Sequence, residues 1–324
     1  MIIKRFAAAL LLAAVLPAAA QEAYPSRPVR VLVPYAPGGA TDIIARIVSA
    51  KLSESLGQSF VVENRPGANG NLALEATAKA APDGYTLLVG NVSTNAINEN
   101  IYREQLGMQP SRDLVGITKL VEIPHIVVAS ASFPANSIAE LIAAAKKEPG
   151  KYNFASVGLG SYPHLDMERF MRVAGIELIH VPYKGGAGQA IPAMIAGEVH
   201  LAFFNMASLL PHIKSGRLKA LAAIPTQRLP ELPNVPTLAE QGFPGIGTNA
   251  WQGMFAPAAT PKPVVDKLYA SVAAALTKRE EKEDLAAKML TVSISPSPQA
   301  FNDLVRKETL EWGQFLRGTK IKVE

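Results

Sequence analysis

The stretch "VPYAPGGATD", residues 33 to 42, joins a predicted strand to a predicted helix through two glycines. Glycine lets the backbone approach a ligand closely and adopt a positive φ angle. The N-terminus of the following helix leaves N–H donors free and carries a partial positive charge. These residue types in this order predict a site for a carboxylate or a similar anion. The alternative is a purely structural role, in which the glycines only make a tight turn.

Three other glycine-bearing turns share this potential, namely "RPGANGN", "SVGLGSYPH" and "YKGGAGQ". None matches the P-loop pattern G-x-x-x-x-G-K-[ST], whose lysine binds phosphate. The turn "GLGSYP" has Pro163 where a dinucleotide fingerprint needs its third glycine. The motif "VPYAPGG" at 33–39 returns as "VPYKGG" at 181–186. This repetition favours two similar lobes, each with a strand-to-helix turn at the sheet edge where ligands bind in α/β folds.

Asp42 lies in the first turn of the helix that follows the first glycine pair. An acid at this position is stabilised by the helix dipole and can accept hydrogen bonds from free N–H groups. We expect a capping role rather than direct ligand contact. Such a cap would still serve the site by ordering the glycine turn.

Catalytic and metal-binding patterns are not found in the sequence. It has no G-x-S-x-G elbow and no H-E-x-x-H motif, and its five histidines are far apart. His164, Asp166 and Glu168 are spaced i, i+2, i+4, so the three do not share one helix face. We predict no catalytic residue, no metal and no cofactor. His164 is interpreted as a polar group at a helix start or in a cleft, and the other four histidines as satisfied polar residues.

The elements that must position these turns alternate between strand-like and helical runs, which favours an α/β fold with parallel sheets and covering helices. In the run after the first turn, Ile44, Ile47, Val48 and Leu52 share one helical face. Ser137 with Glu140, and Thr237 with Glu240, have the spacing of capping boxes at helix starts. The last third is predicted as two helices, a short strand and a final helix.

The first twenty residues have the pattern of a secretory signal peptide. Lys4 and Arg5 precede an apolar run that is too short to span a bilayer, and a small-residue cleavage site ends at Ala20. A membrane anchor is the disfavoured alternative. The 324-residue chain has no cysteine and a formal charge of +5, which becomes +3 without the two basic residues of the leader. Its charges are dispersed, which disfavours nucleic acid and still suits an anionic ligand.

Several motifs in order resemble the Bug-type solute receptors, the periplasmic binding proteins of tripartite tricarboxylate transporters. The motifs are "YPSRPVRVLVPYAPGGATD", "VVENRPGANGNLALEATAKAAPDGYTLLVGN", "HVPYKGG" and "LLPHIKSGRLKALA". The resemblance runs from about Tyr24 to the C-terminus. It implies a two-lobed, type II periplasmic-binding-protein fold with the ligand cleft between the lobes. We expect a signal peptide at 1–20, one lobe from 21–122 and 244–324, and the other from 123–243.

The resemblance also implies which residues meet the ligand. "APGGATD" matches the family's main carboxylate cradle, "NVSTN" the next cleft loop, and "SVGLGSYPH" and "YKGG" the loops of the second lobe. Lys184 in the last motif is expected to be a rim charge. The implied ligand-binding residues are Tyr35, Pro37, Gly38, Gly39, Asp42, Ser93, Thr94, Ser156, Gly160, Ser161, His164, Tyr183 and Asn205.

Two positions near "EVHLAFFN" depart from the family pattern, which has an Asp where this chain has His200 and Asn205. In members that bind amino acids the second Asp meets the ligand's ammonium group. Asn205 supplies no such charge, and the neighbouring Met206 is apolar. The expected ligand is therefore a carboxylate without an amino group, such as a dicarboxylate, a tricarboxylate or an aromatic acid.

The predicted function is that of a periplasmic receptor, a monomer, which delivers a small carboxylate to integral membrane permease subunits. Two alternatives stay open at this stage. One is an exported α/β hydrolase that uses Ser161 and His164. The other is a receptor that presents its bound ligand to a sensor kinase.

Overall fold

Two β-sheets with helices packed on them organise the protein. A computed structural model describes residues 24–225, 227–248, 250–317 and 321. The predicted signal peptide and its cleavage site lie outside these residues. The strands are β1 (Val29–Val33), β2 (Phe60–Asn64), β3 (Thr86–Asn91), β4 (Leu114–Ile123), β5 (His125–Ser130), β6 (Asn153–Ser156), β7 (Ile179–Pro182), β8 (Leu201–Asn205), β9 (Leu218–Ala223), β10 (Ala250–Pro257) and β11 (Thr291–Val292).

Helices follow most strands, as the alternating sequence pattern predicts. A 3₁₀ turn (Ala68–Gly70) precedes α2, and a π-helical segment (Ser93–Ile97) precedes α3. The α-helices are α1 (Ala40–Leu56), α2 (Asn71–Ala78), α3 (Asn98–Ile101), α4 (Pro110–Asp113), α5 (Ile138–Lys147), α6 (Tyr162–Ala174), α7 (Ala187–Ala196), α8 (Met206–Lys214), α9 (Lys262–Leu276), α10 (Arg279–Ala287) and α11 (Pro298–Arg317).

The two sheets belong to two lobes that the chain joins twice. The first sheet has the strand order β11-β4-β10-β3-β1-β2, and the second has the order β7-β6-β8-β5-β9. We call the parts built on them lobe 1 and lobe 2. The chain passes from β4 to β5 through Pro124 alone, and it returns between β9 and β10. The predicted boundary after residue 122 falls one residue before the end of β4, the one after 243 falls in the returning segment, and both stay proposals.

The sheets are mixed, so the predicted parallel pairing holds for only part of each sheet. Strand β1 pairs in parallel with β2 and β3, but β10 runs antiparallel to both β3 and β4. In lobe 2, β6 is parallel to β7 and β8, whereas β5 is antiparallel to β8 and β9. The physical reason is the double crossing, because β5 and β10 each enter their sheet from the other lobe.

Hydrophobic burial holds each helix on its sheet. On α1, Ile44, Val48 and Leu52 are fully buried, and Ile47 packs against the same core while partly buried. Burying one such side chain stabilises the fold by about 1.5–3 kcal/mol. The packing fixes the start of α1, and with it the first glycine turn, at the edge of the lobe 1 sheet.

Of the two helix starts predicted from capping boxes, the one at Ser137 is confirmed and the one at Thr237 is wrong. Ser137 caps α5 by accepting a hydrogen bond from the Glu140 N–H. Thr237 and Glu240 form both bonds of a capping box, but the segment after them makes only turns, so the helix expected there was wrong. The last third does contain α9, α10, the short β11 and α11 in the predicted order. Within the described residues, no helix is both long and apolar enough to cross a membrane.

Candidate functional site

The first glycine turn is held in shape by Asp42. Its carboxylate accepts hydrogen bonds from the Gly38 N–H and Arg46 Nε, both at 3.0 Å, and from Asn64 Nδ2 at 2.9 Å. Burial on its own would raise the pKa of Asp42, but the hydrogen bonds from Arg46, Gly38 and Asn64 hold it below its ordinary value. The expectation that Asp42 caps this turn is confirmed.

Only one glycine of this pair needs to be glycine for its backbone angle. Gly38 has a φ of +91°, in the region that side chains rarely adopt, whereas Gly39 has an extended backbone with a φ of −81°. Pro37 and Gly38 are exposed at the tip, and Gly39 is buried beneath them. The turn thus presents its backbone outward while its base is packed.

The turn "YKGGAGQ" of lobe 2 repeats this design, with the neutral side chain of Gln189 in place of a carboxylate. The Gly185 N–H donates to Gln189 Oε1 at 2.8 Å, four residues further along, as Gly38 does to Asp42. Gly186 has a φ of +75° and precedes the start of α7. Lys184 at the tip is exposed, which agrees with the expected rim charge.

The two turns face each other across the boundary between the lobes and touch. The Ala36 N–H donates to the Gly185 carbonyl at 2.9 Å. A Cβ atom at Gly188 would lie 2.3 Å from the Pro37 carbonyl oxygen, so this approach requires glycine. The two turns therefore meet, and the lobes are closed on each other at this point, whereas ligand binding there stays a prediction.

The other two glycine turns also meet across the lobes. Asn69 Nδ2 of lobe 1 lies 3.5 Å from the Leu159 carbonyl of lobe 2, and Tyr102 donates its hydroxyl to the same carbonyl at 2.7 Å. A Cβ atom at Gly158 would lie 3.0 Å from Asn69, and one at Gly160 would lie 2.6 Å from Ile101. All four turns therefore line the boundary between the lobes.

A network of hydroxyl and amide groups lies between the turns. Tyr35 donates its hydroxyl to Asn91 Oδ1 at 3.4 Å, and Ser93 Oγ accepts the backbone N–H of Tyr162 at 3.0 Å. The Tyr162 hydroxyl donates to Asn205 Oδ1 at 3.0 Å. Burial raises the pKa of Tyr35 and of Tyr162, so both hydroxyls keep their protons. Groups of this kind can hydrogen-bond an anion without adding negative charge.

Asn205 is held from the other side by His125, which the sequence analysis did not select. His125 Nε2 lies 2.6 Å from Asn205 Oδ1, and its ring stacks on Tyr162 with centroids 4.5 Å apart. Burial lowers the pKa of His125 to about 4, so the ring is neutral at pH 7. The hydrogen bonds to Asn205 and to the Thr248 backbone act against that shift without cancelling it. The amide nitrogen of Asn205 makes no hydrogen bond to any described residue.

Hydrogen bonds from polar side chains to the loop's own backbone hold the lobe 2 loop that precedes α6. Ser156 Oγ lies 2.6 Å from His180 Nε2 and donates to the Gly158 carbonyl at 3.0 Å. Ser161 donates its hydroxyl to the same carbonyl at 2.7 Å. The His180 pairing was missed because it depends on how β6 and β7 align.

Ser161 and His164 do not form a nucleophile–base pair. His164 Nδ1 accepts the Gly160 N–H at 3.0 Å, and its Nε2 lies 3.4 Å from Glu168. The Ser161 hydroxyl is bound to the loop backbone instead. This geometry gives no support to the hydrolase alternative and confirms His164 as a polar group at the helix start. Across the described residues, no three metal-binding side chains are grouped to hold an ion.

The predicted site residues thus divide into two sets. One set lies in the turns and strand ends next to the boundary between the lobes: Tyr35, Pro37, Gly38, Gly39, Ser93, Gly160, Tyr183 and Asn205. Of these, five lie against the other lobe, namely Tyr35, Pro37, Gly39, Ser93 and Gly160, and ligand contact stays a prediction for all eight. The other set uses its side chains to hold the surrounding turns: Asp42, Thr94, Ser156, Ser161 and His164. Thr94, for example, is fully buried, accepts the Asn91 N–H and donates to Asn95. His125 and Tyr162 complete the first set, and no local sequence signal identified them.

Comparison with known families identifies one match over most of the chain. Residues 44–321 match the model of the tripartite tricarboxylate transporter family receptor. The chain is also similar to the protein BugT of Bordetella pertussis, with 34% identity over 303 residues that cover 94% of this chain and 92% of BugT.

Solved structures with more than 30% sequence identity share the fold. One is Rpa4515 of Rhodopseudomonas palustris with adipate, with 34% identity, a TM-score of 0.86, and coverage of 91% of this chain and 97% of that one. Another is MatC of the same organism with bound malate, with 33% identity, a TM-score of 0.84, and coverage of 90% and 99%. The periplasmic binding protein BugD has 32% identity, a TM-score of 0.86, and coverage of 93% and 100%.

Proposed function

The chain belongs to the tripartite tricarboxylate transporter receptor family, and from this premise we propose that it is a periplasmic receptor for one small carboxylate. The ligand binds between the lobes and is passed unchanged to membrane permease subunits. The observation that carries the proposal is the meeting of the two glycine turns, which brings backbone N–H groups and two helix N-termini to one place.

The groups around Asn205 support a carboxylate without an amino group. Asn205 Oδ1 lies 2.6 Å from His125 Nε2 and accepts from the Tyr162 hydroxyl, which leaves its amide nitrogen as the group able to contact a ligand. An amide nitrogen donates hydrogen bonds to an anion and repels an ammonium group. The bound ligands of the two Rhodopseudomonas palustris proteins, adipate and malate, are dicarboxylates of this kind.

The proposal that the receptor is not an enzyme rests on the side chains that catalysis would need. Ser161 and His164 are each bound to loop backbone rather than to each other. Incubation with the bound acid followed by mass spectrometry tests this point, and we expect the acid to be recovered unchanged. Conversion of the acid would refute the receptor proposal.

Thermal unfolding with a library of acids tests the ligand class. Adipate, malate, an aromatic acid and glutamate are added separately, with sodium chloride at equal ionic strength as the control. At a concentration a hundredfold above Kd, a true ligand stabilises the fold by about 2.7 kcal/mol through mass action. We expect a plain di- or tricarboxylate or an aromatic acid to raise the melting temperature more than glutamate. If no acid raises it, the proposal fails.

A further inference from the structure

A buried glutamine of β10 carries a hydrogen-bond donor that the surrounding protein leaves unused. Gln252 is fully buried, and its Oε1 accepts a hydrogen bond from the Thr41 hydroxyl at 2.8 Å. Its Nε2 atom makes no hydrogen bond within the part of the chain that the structure describes. An unpaired buried donor is costly, and such groups in folded proteins generally meet a ligand or a water molecule.

The nearest amide across the sheet already has its own partners. Asn91 lies directly opposite Gln252 in the β3–β10 pair, so the two side chains are on the same face of the lobe 1 sheet. Asn91 Oδ1 accepts the Tyr35 hydroxyl at 3.4 Å and the Thr94 N–H at 3.2 Å, which uses both of its lone pairs. The Nε2 atom of Gln252 is therefore available to a group that enters between the lobes.

Gln252 lies on the side of the first crossing where the glycine turns meet. From β4 the lobe 1 sheet runs through β10 and β3 to β1, which carries the first glycine turn. From β5 the lobe 2 sheet runs through β8 and β6 to β7, which carries the turn "YKGGAGQ". Because the two turns touch, β10 and β8 flank the same cleft, next to the crossing.

Two amide side chains lie at the base of this cleft, one from each lobe. Gln252 is opposite Val121 in the β10–β4 pair. Asn205 is opposite His125 in the β8–β5 pair. Positions 121 and 125 are four residues apart, so their Cα atoms are separated by at most about 14 Å. The two amide side chains and a short dicarboxylate can together span such a distance.

The Gln252 amide also lies beside the N-terminus of α1. Thr41, which binds Gln252, is the second residue of that helix. No side chain caps the helix at Gly39, and its first backbone bond runs from the Ile43 N–H to the Gly39 carbonyl. The N–H groups ahead of Ile43 have no partner inside the helix, and they carry the positive end of its dipole. An anion at this point would meet both the helix N–H groups and Gln252 Nε2.

We propose that Gln252 is a ligand-binding residue, which donates from Nε2 to a carboxylate held at the N-terminus of α1. The proposal rests on the proposed receptor function and narrows the ligand to a dicarboxylate, because the amide nitrogen of Asn205 donates to the other end from lobe 2. Both ends then meet neutral donors, which bind carboxylates and offer nothing to an ammonium group.

Isothermal titration calorimetry with adipate and malate tests the ligand class. Hexanoate and 3-hydroxybutyrate are the controls, because each is the corresponding acid with one carboxylate replaced by hydrogen or a methyl group. We expect at least one dicarboxylate to bind, and its control to bind at least tenfold more weakly. Equal binding of a dicarboxylate and its control would overturn recognition at both ends.

Two variants of Gln252 test the contact itself. Gln252→Met keeps the size of the side chain and removes the donor, so affinity for the dicarboxylate should fall about tenfold, the effect of one hydrogen bond to a charged group. Gln252→Glu keeps the acceptor for Thr41 and puts a negative charge beside the ligand, so its affinity should fall further. It carries the test if Gln252→Met does not fold. Wild-type affinity in either variant would overturn the proposal.

The matched control is a glutamine whose amide is fully engaged. Gln241 Nε2 donates to the Leu221 carbonyl at 3.2 Å, and its Oε1 accepts the Ile138 N–H at 3.3 Å. Gln241→Met should lower the melting temperature and leave affinity unchanged, whereas Gln252→Met should keep the ligand-free melting temperature and bind less tightly. The reverse pattern at Gln252 would overturn the proposal. If the wild-type protein binds no dicarboxylate, the receptor function fails as well; if it binds one and Gln252→Met binds it equally, only the Gln252 contact fails.

Discussion

The two glycine turns resemble each other in sequence and in geometry, but different chemistry holds them. In each, the first glycine donates its N–H to a side chain four residues ahead, Asp42 in lobe 1 and Gln189 in lobe 2. Asp42 is buried and also binds Arg46 and Asn64, whereas Gln189 is exposed. A charged acceptor makes hydrogen bonds about twice as strong as a neutral one.

This difference separates a fixed half of the site from an adaptable half. The lobe 1 turn is tied to α1 and to β2 before any ligand arrives, through Asp42 and Asn64. The lobe 2 loops are held by neutral pairs, such as Ser156 with His180 and Asn205 with His125. Lobe 1 therefore provides a preformed cradle, and lobe 2 closes on it without bringing a charge that would oppose an anion.

Removing the two side chains that hold the turns should give very unequal effects. Asp42→Ala is expected to lower the free energy of unfolding by about 3 kcal/mol, because the donors on Gly38, Arg46 and Asn64 lose their buried, charged acceptor. It should also abolish carboxylate binding. Gln189→Ala should cost about 1 kcal/mol or less. Urea unfolding and calorimetry measure both, and equal losses would contradict the distinction between a fixed and an adaptable turn.

Closure of lobe 2 on lobe 1 can be blocked without unfolding either lobe. Gly188→Ala places a Cβ atom 2.3 Å from the Pro37 carbonyl, so we expect affinity for the carboxylate to fall by about 2 kcal/mol. Alanine favours α7 itself, so the melting temperature without ligand should not fall.

The control for this variant lies in lobe 1, away from the contact. A Cβ atom at the exposed Gly107 would meet nothing within 4 Å, so Gly107→Ala should bind nearly as wild type does. Small-angle X-ray scattering should find Gly188→Ala more open than Gly107→Ala. If the two variants bind equally well, the turns do not meet in the bound state.

A negative charge at position 205 of lobe 2 should weaken the binding of an anionic ligand. Asn205→Asp keeps an acceptor for His125 and Tyr162 but adds a negative charge, and we expect affinity for a plain dicarboxylate to fall about tenfold, or about 1.4 kcal/mol. Glutamate should lose less, because its ammonium group can pair with the new carboxylate. Calorimetric titration with both acids measures this, and unchanged affinity for both would remove Asn205 from the site.

The smallest expected effect is that of pH. Burial lowers the pKa of His125 to about 4 and that of His180 to about 3, so neither gains a proton between pH 6 and pH 8. The pKa of Asp42 is held below its ordinary value, so its carboxylate stays charged there, and its contribution to stability is lost only in acid below about pH 4. Affinity for a fully ionised acid should change less than twofold over this range. A step near pH 6.5 would show that a histidine in the site titrates.

The features that the sequence predicts well are local ones. The strand, glycine turn and helix form one continuous segment in each lobe, residues 29–56 in lobe 1 and residues 179–196 in lobe 2. Asp42 is four positions from its partner Gly38. The missed features depend on distant pairing. His125 meets Asn205 because β5 and β8 align antiparallel, a register that no local pattern records. The antiparallel β10 and the turn that follows Thr237 were decided in the same way, by packing against elements far along the chain.

The position of β10 also sets an order of events during synthesis. It lies inside the lobe 1 sheet between β4 and β3, yet residues 250–257 supply it, after every strand of lobe 2 has been made. A chain made from its N-terminus can assemble lobe 2 first, while lobe 1 waits with β3 and β4 unpaired along facing edges. Open strand edges invite aggregation. A chain cut short before β10 is therefore expected to be an aggregating fragment rather than a weaker receptor.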